Sequence, residues 1–153
     1  MAGKSNRKPK RASRALSLDE RQYRTLAAFR SAIRRFLAFS EAATRASGVT
    51  AQQYQAMLAI KAHDKGSISI GGLASELLLK HNGAVQQVDR LVAANLVRRV
   101  QDDHDRRVVN LALTSKGEEK VKQLAAIHFR ELSRRHAELR DIARLAGKMG
   151  RSR

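Results

Sequence analysis

The stretch that most restricts the fold of this chain runs from Ser69 to Gly117, SIGGLASELLLKHNGAVQQVDRLVAANLVRRVQDDHDRRVVNLALTSKG. Ser69 suits a helix N-cap, because its hydroxyl can accept one of the backbone N–H bonds left free in a first turn. Behind it Ile70, Leu73, Ala74, Leu77 and Leu78 recur at helical spacing and predict one buried face, with the helix ending near Leu79. Lys80, His81 and Asn82 then interrupt the apolar pattern. Asn82 is the expected cap of a second helix that turns Val85, Val88, Leu91 and Val92 inward and stops near Asn95, a residue that tolerates the left-handed turn of a helix end.

Two β-prone runs follow, Leu96–Val100 and Arg107–Leu113, joined by the polar segment from Gln101 to Arg106. Val109, Leu111 and Leu113 alternate with Asn110 and Ala112, so one face of that strand is expected to pack. The order helix, turn, helix, hairpin is that of a helix-turn-helix with a β-wing, which enters two grooves of a duplex at once. The second helix would offer Lys80, His81, Asn82, Gly83, Gln86, Gln87 and Arg90 to DNA. Amide and guanidinium groups pair with adenine and guanine edges in the major groove, and Gly83 permits close approach. In the wing, Arg106 and Arg107 suit the strongly negative minor groove, with His104 beside them. Asp105 is expected to orient the arginines by pairing. The competing readings are a solvated helix face for the glutamines and an ordinary salt-bridged turn for the hairpin.

These residues resemble the winged helix-turn-helix of the MarR family of bacterial transcription regulators. The likeness is carried by Gly72–Leu77, by Val88-Asp89-Arg90-Leu91, by Asn95–Arg99 and above all by Asp105–Gly117, with its D-R-R and L-T-x-K-G elements. It extends more weakly over about residues 18–145. Gln87 stands where the family usually has an apolar residue, Asn95 where it usually has Gly, and His104 lies within the tip. The resemblance implies a homodimer built by the terminal helices, a repressor acting on an operator, and a crevice for a small aromatic or phenolic acid. The residues placed in such a pocket are Arg34, Phe36, Phe39, Tyr54 and Met57; the competing reading makes the aromatics and Met57 plain core.

The flanks fit that picture. Leu18–Ser47 reads as a long helix whose Leu26, Phe29, Ile33, Phe36, Leu37 and Ser40 form a stripe too wide for one small wing domain. Asp19 and Glu20 favour its start through the helix dipole. Thr50 and Gln53 form a capping box for the next helix, which carries Tyr54, Met57, Leu58 and Ile60. Ile68 adds a short strand against the wing. Thr114 or Ser115 caps a last long helix, in which Val121, Leu124, Ala125, His128, Leu132, Leu139, Ile142 and Ala143 continue an apolar line, with a bend at Arg134-Arg135. Two long amphipathic helices need a partner surface, and each other plus the same pair of a second chain supply it. A two-fold axis then spaces the reading helices about one DNA turn apart and predicts a pseudo-palindromic site.

The expected fold is therefore mainly α with a small β-wing. The winged helix-turn-helix lies at about 49–117, the dimerisation helices at 18–47 and 115–146, and basic tails at 1–17 and 148–153. The formal charge of +17 calls for a polyanionic partner. Much of it lies in the tails: residues 1–17 hold six cations and no acid, and 144–153 add four more. Tails of this kind can hold on to double-stranded DNA but cannot read it. The first seventeen residues are expected to be disordered, either a solubilising tail or an electrostatic arm.

The chain has no Cys, which excludes disulfides and thiol redox switching. No membrane partner, metal or other cofactor is expected, and the five histidines lack a chelating arrangement. Neither a nucleophile elbow, a phosphate loop nor a paired-carboxylate motif appears, so an enzyme is not expected. The expected compartment is the bacterial cytoplasm, at the nucleoid. Two functions of different kind remain: a sequence-specific regulator, and an architectural or accessory DNA-binding protein with the same fold and no effector. A protein-interaction module with a degenerate wing is a third.

Overall fold

The computed structural model describes residues 18–101 and 109–150. The expected tail 1–17 and residues 151–153 of the expected tail 148–153 lie outside the described residues, as does the wing tip with His104, Asp105, Arg106 and Arg107; residues 148–150 belong to the last helix. Helix α1 (Glu20–Ala46) begins at Asp19, which forms a reciprocal capping box with Gln22. Helix α2 (Ala51–Ala62) starts from the Thr50–Gln53 capping box. After a short 3-10 turn comes β1 (Ser67–Ser69), then α3 (Ile70–Glu76) and α4 (His81–Ala93). The wing strands β2 (Val97–Gln101) and β3 (Val109–Leu113) lead into α5 (Ser115–Arg134) and α6 (His136–Gly150).

The sheet is antiparallel in the order β1-β3-β2, with Ile68 opposite Leu111 and Val97 opposite Leu113. Its inner face, with Leu111 and Leu113, closes a core that also holds Met57, Ile60, Leu73, Val88 and Leu124. Helix α5 is set against the wing with unusual closeness. Thr114 caps it by accepting from the Gly117 amide, and the Thr114 amide donates to the Leu96 carbonyl. A Cβ at position 117 would sit 2.0 Å from that same carbonyl oxygen, so only glycine fits the first turn of α5 there.

Three local expectations are corrected. Helix α3 ends at Glu76 rather than near Leu79, because Leu78 enters the left-handed region at φ +53° and closes it. Leu78 is consequently turned out to solvent instead of into the core. The cap of α4 is Lys80, which makes no side-chain cap bond, and Asn82 lies inside the helix.

The bend near Arg134 separates α5 from α6, and the corner is held by charge. Glu131 is buried and accepts from Arg134 at 2.9 Å and from Arg135. Arg135 also faces Glu138, which pairs with Arg35 of α1. This ties α6 back onto α1, where Ala32 and Ile142 are buried. The rest of the α1 stripe is open in the single chain: Leu26 is 54% and Ile33 41% exposed, with Phe29 and Leu37 similar. Among the described residues no helix is long and apolar enough to cross a membrane.

Candidate nucleic-acid interface

Helix α4 is divided cleanly by its 3.6-residue period. Ala84, Gln87, Val88 and Leu91 are buried, while His81, Asn82, Gln86, Asp89 and Arg90 are exposed and Gly83 is half-buried. Asn82, Gln86, Asp89 and Arg90 thus form one outward ridge, and Lys80 stands exposed at its entry. This ridge carries amides and a guanidinium suited to base edges.

Gln87 does not belong to it. The side chain is 5% exposed, on the inner arc between Ala84 and Leu91, and so is out of reach of a base. Its Nε2 finds no hydrogen-bond partner among the described residues. The polarity of Gln87 suggested solvent, but its helical position decides the matter.

Asp89 was not anticipated as part of the surface, although its spacing from Asn82 and Gln86 puts it there. A carboxylate on a DNA-facing ridge would repel phosphate. Here Arg99 of β2 donates to it at 2.7 Å, so the wing neutralises the helix's only outward acid. The pair also ties β2 to α4. The C-terminal end of α4 is likewise fixed: Asn95 adopts φ +56° after its last turn, and Lys116 donates to the Ala94 carbonyl at 3.0 Å.

Three of the five residues assigned to a ligand pocket, Phe36, Phe39 and Tyr54, gather around one side chain, while Met57 and Arg34 lie apart from it. Phe36 and Phe39 of α1 stand edge-on to His128, with ring centroids 6.0 and 5.7 Å away, and Tyr54 stacks on it at 4.6 Å. Burial pushes the Tyr54 phenol up from its ordinary range. Met57 is fully buried in the core. Arg34 is exposed and, two residues before Phe36, projects roughly 160° away from it around the helix. His128 was expected only as part of an apolar line. It is instead a buried strut: Nδ1–H donates to the Leu124 carbonyl at 2.7 Å, and Nε2 is hydrogen-bonded to the Ser40 hydroxyl at 2.9 Å. The carbonyl can only accept, so Nδ1 carries a proton. A separate concavity between α1 and α2 is lined by Leu37, Ser40, Thr44, Val49 and Gln55, none of them among the five. Among the described residues no cluster of His, Asp or Glu could hold a metal ion.

A two-helix unit with an exposed second helix, closed by an antiparallel hairpin over a shared core, defines a winged helix-turn-helix protein. Residues 47–108 match the MarR family model, so over that segment the chain is similar to the MarR family. It is 33% identical over 79 residues to the HTH-type transcriptional repressor MdtR of Bacillus subtilis (strain 168), covering 52% of this chain and 50% of MdtR. The chain spans about half the length of the curated relatives it matches. The fold is similar to that of AbsC, a MarR family transcriptional regulator from Streptomyces coelicolor. Its TM-score is 0.71 at 21% identity, over 87% of this chain and 92% of AbsC. A mutant of MepR from S. aureus bound to an oligodeoxyribonucleotide has a TM-score of 0.61 at 20% identity, over 83% of this chain and 94% of MepR.

Proposed function

We propose that this protein is a sequence-specific transcription regulator, of the repressor type, that binds a pseudo-palindromic operator as a homodimer. The observation that carries the reading is the outward ridge of α4, Asn82, Gln86 and Arg90, with its one acid neutralised by Arg99. The DNA-bound MepR structure and the repressor MdtR support the same use of the fold. The wing tip would add Arg106 and Arg107 in the minor groove, oriented by Asp105 and flanked by His104. The open stripe of α1 supports pairing with a second copy, which would set the two reading helices about one turn of DNA apart.

A small aromatic or carboxylate effector fits this reading, entering between α1 and the wing domain. The concavity beside Ser40 and Thr44 is a more open place for it than the packed ring around His128.

Selection of bound duplexes from a random pool tests the proposal, followed by footprinting and then by titration with aromatic carboxylates. One protected pseudo-palindrome is expected. Gln86→Ala should alter preference at one position of each half-site, by about 1–3 kcal/mol for a bidentate contact. The charge of +17 favours a second reading, an architectural protein that coats DNA with no effector. Uniform protection of every duplex would support that reading and sink the first.

A further inference from the structure

Leu78, in the turn between α3 and α4, is placed against its own chemistry. It has φ +53° and is 93% exposed. The turn imposes the backbone conformation. The Leu78 amide donates to the Ser75 carbonyl at 3.2 Å, and the Leu79 amide reaches back to the Ala74 carbonyl at 2.8 Å. That pattern closes a helix through a left-handed residue, normally glycine and sometimes asparagine. The equivalent place after α4 is held by Asn95, at φ +56°. A leucine is strained in such a turn. Standing out in water, it recovers nothing by burial, whereas its neighbour Leu77 packs against the core. Folding alone would favour Gly or Asn at position 78.

The position suggests what the side chain is for. Leu78 is two residues before Lys80, so its Cα lies within about 8 Å of the entry to α4. His81 and Asn82 are exposed just beyond. An apolar group at the mouth of a DNA-reading helix meets one apolar partner in the major groove, the 5-methyl group of thymine. We infer that Leu78 is a specificity-determining residue that reads a thymine methyl at the edge of each half-site. The inference rests on the DNA-binding function proposed above.

The test uses the full chain and its selected operator, with each thymine replaced in turn by deoxyuridine, which lacks only the methyl. Wild type should lose about fourfold in affinity at one symmetry-related pair of positions, the worth of one buried methyl group. Leu78→Gly and Leu78→Asn should bind the operator more weakly and be indifferent to deoxyuridine at that pair. Both variants should resist urea at least as well as wild type, since each suits the left-handed turn better, so weaker binding cannot be put down to unfolding. Variants with the wild-type affinity and the same deoxyuridine profile would overturn the inference. So would a loss spread evenly over all sequences, which would mean a backbone contact. Wild type with no preferred sequence would defeat the regulator function itself, and it would do so before any variant was made.

Discussion

At the scale of single residues, Gln87 shows how helical position outranks polarity. Its amide is enclosed between Ala84 and Leu91, with Nε2 unpartnered among the described residues, and a buried polar group left without a hydrogen bond costs about 1–3 kcal/mol. Leucine has a similar volume and nothing to satisfy. Gln87→Leu is therefore expected to stabilise the fold by about 1 kcal/mol, read as a higher urea midpoint at unchanged slope. Operator affinity should stay as it was, because the side chain does not reach the surface. A drop in affinity with preserved stability would return Gln87 to the reading face. His128 is the opposite case, a buried polar residue with both ring nitrogens engaged and three aromatic rings around it.

At the scale of elements, the corner between α5 and α6 depends on one carboxylate. Bonds from Arg134 and Arg135 hold Glu131 at about 2, below its ordinary value of 4.5. A carboxylate with a lowered value stabilises the fold above pH 4.5, and that contribution fades as pH falls toward 2. Glu131→Gln should therefore melt below wild type at pH 6, with the gap closing as the two are compared down to pH 2.5. A gap independent of pH would mean that the loss is one of packing.

The same scale explains which elements were legible in the sequence. The starts of α2, α3 and α5 were, because Thr50 with Gln53, Ser69, and Thr114 act on amides only three residues ahead. The end of α3 was not, because three consecutive leucines continue the helical period while the backbone turns left-handed at the second of them. The cap of α4 was misplaced for a related reason. Asn82 has the better capping chemistry, but the turn delivers Lys80 to the position. The outward ridge of α4 followed from spacing alone. Its neutralisation by Arg99 did not, since ten residues and a change of element separate the partners.

For the whole molecule, the question is what covers α1. Leu26, Phe29, Ile33 and Leu37 are open in the single chain, although each lies on a long, well-capped helix held to α6 by the Arg35–Glu138 pair. Left in water, these side chains forgo roughly 25 cal/mol for each Å² of apolar surface that could be buried. A second copy related by a two-fold axis would cover them and would fix the distance between two copies of α4. Leu26→Asp combined with Ile33→Asp places carboxylates where the two chains would meet, without touching the wing-domain core. The double variant should sediment at half the wild-type mass while keeping the wild-type helical content by circular dichroism. Each reading head would then grip a half-site alone. Affinity for the full operator should fall to that for an isolated half-site, and insertion of five base pairs between half-sites, which weakens wild type, should no longer matter. A variant that stays dimeric and still senses the spacing would show that the two-fold axis runs through some other surface.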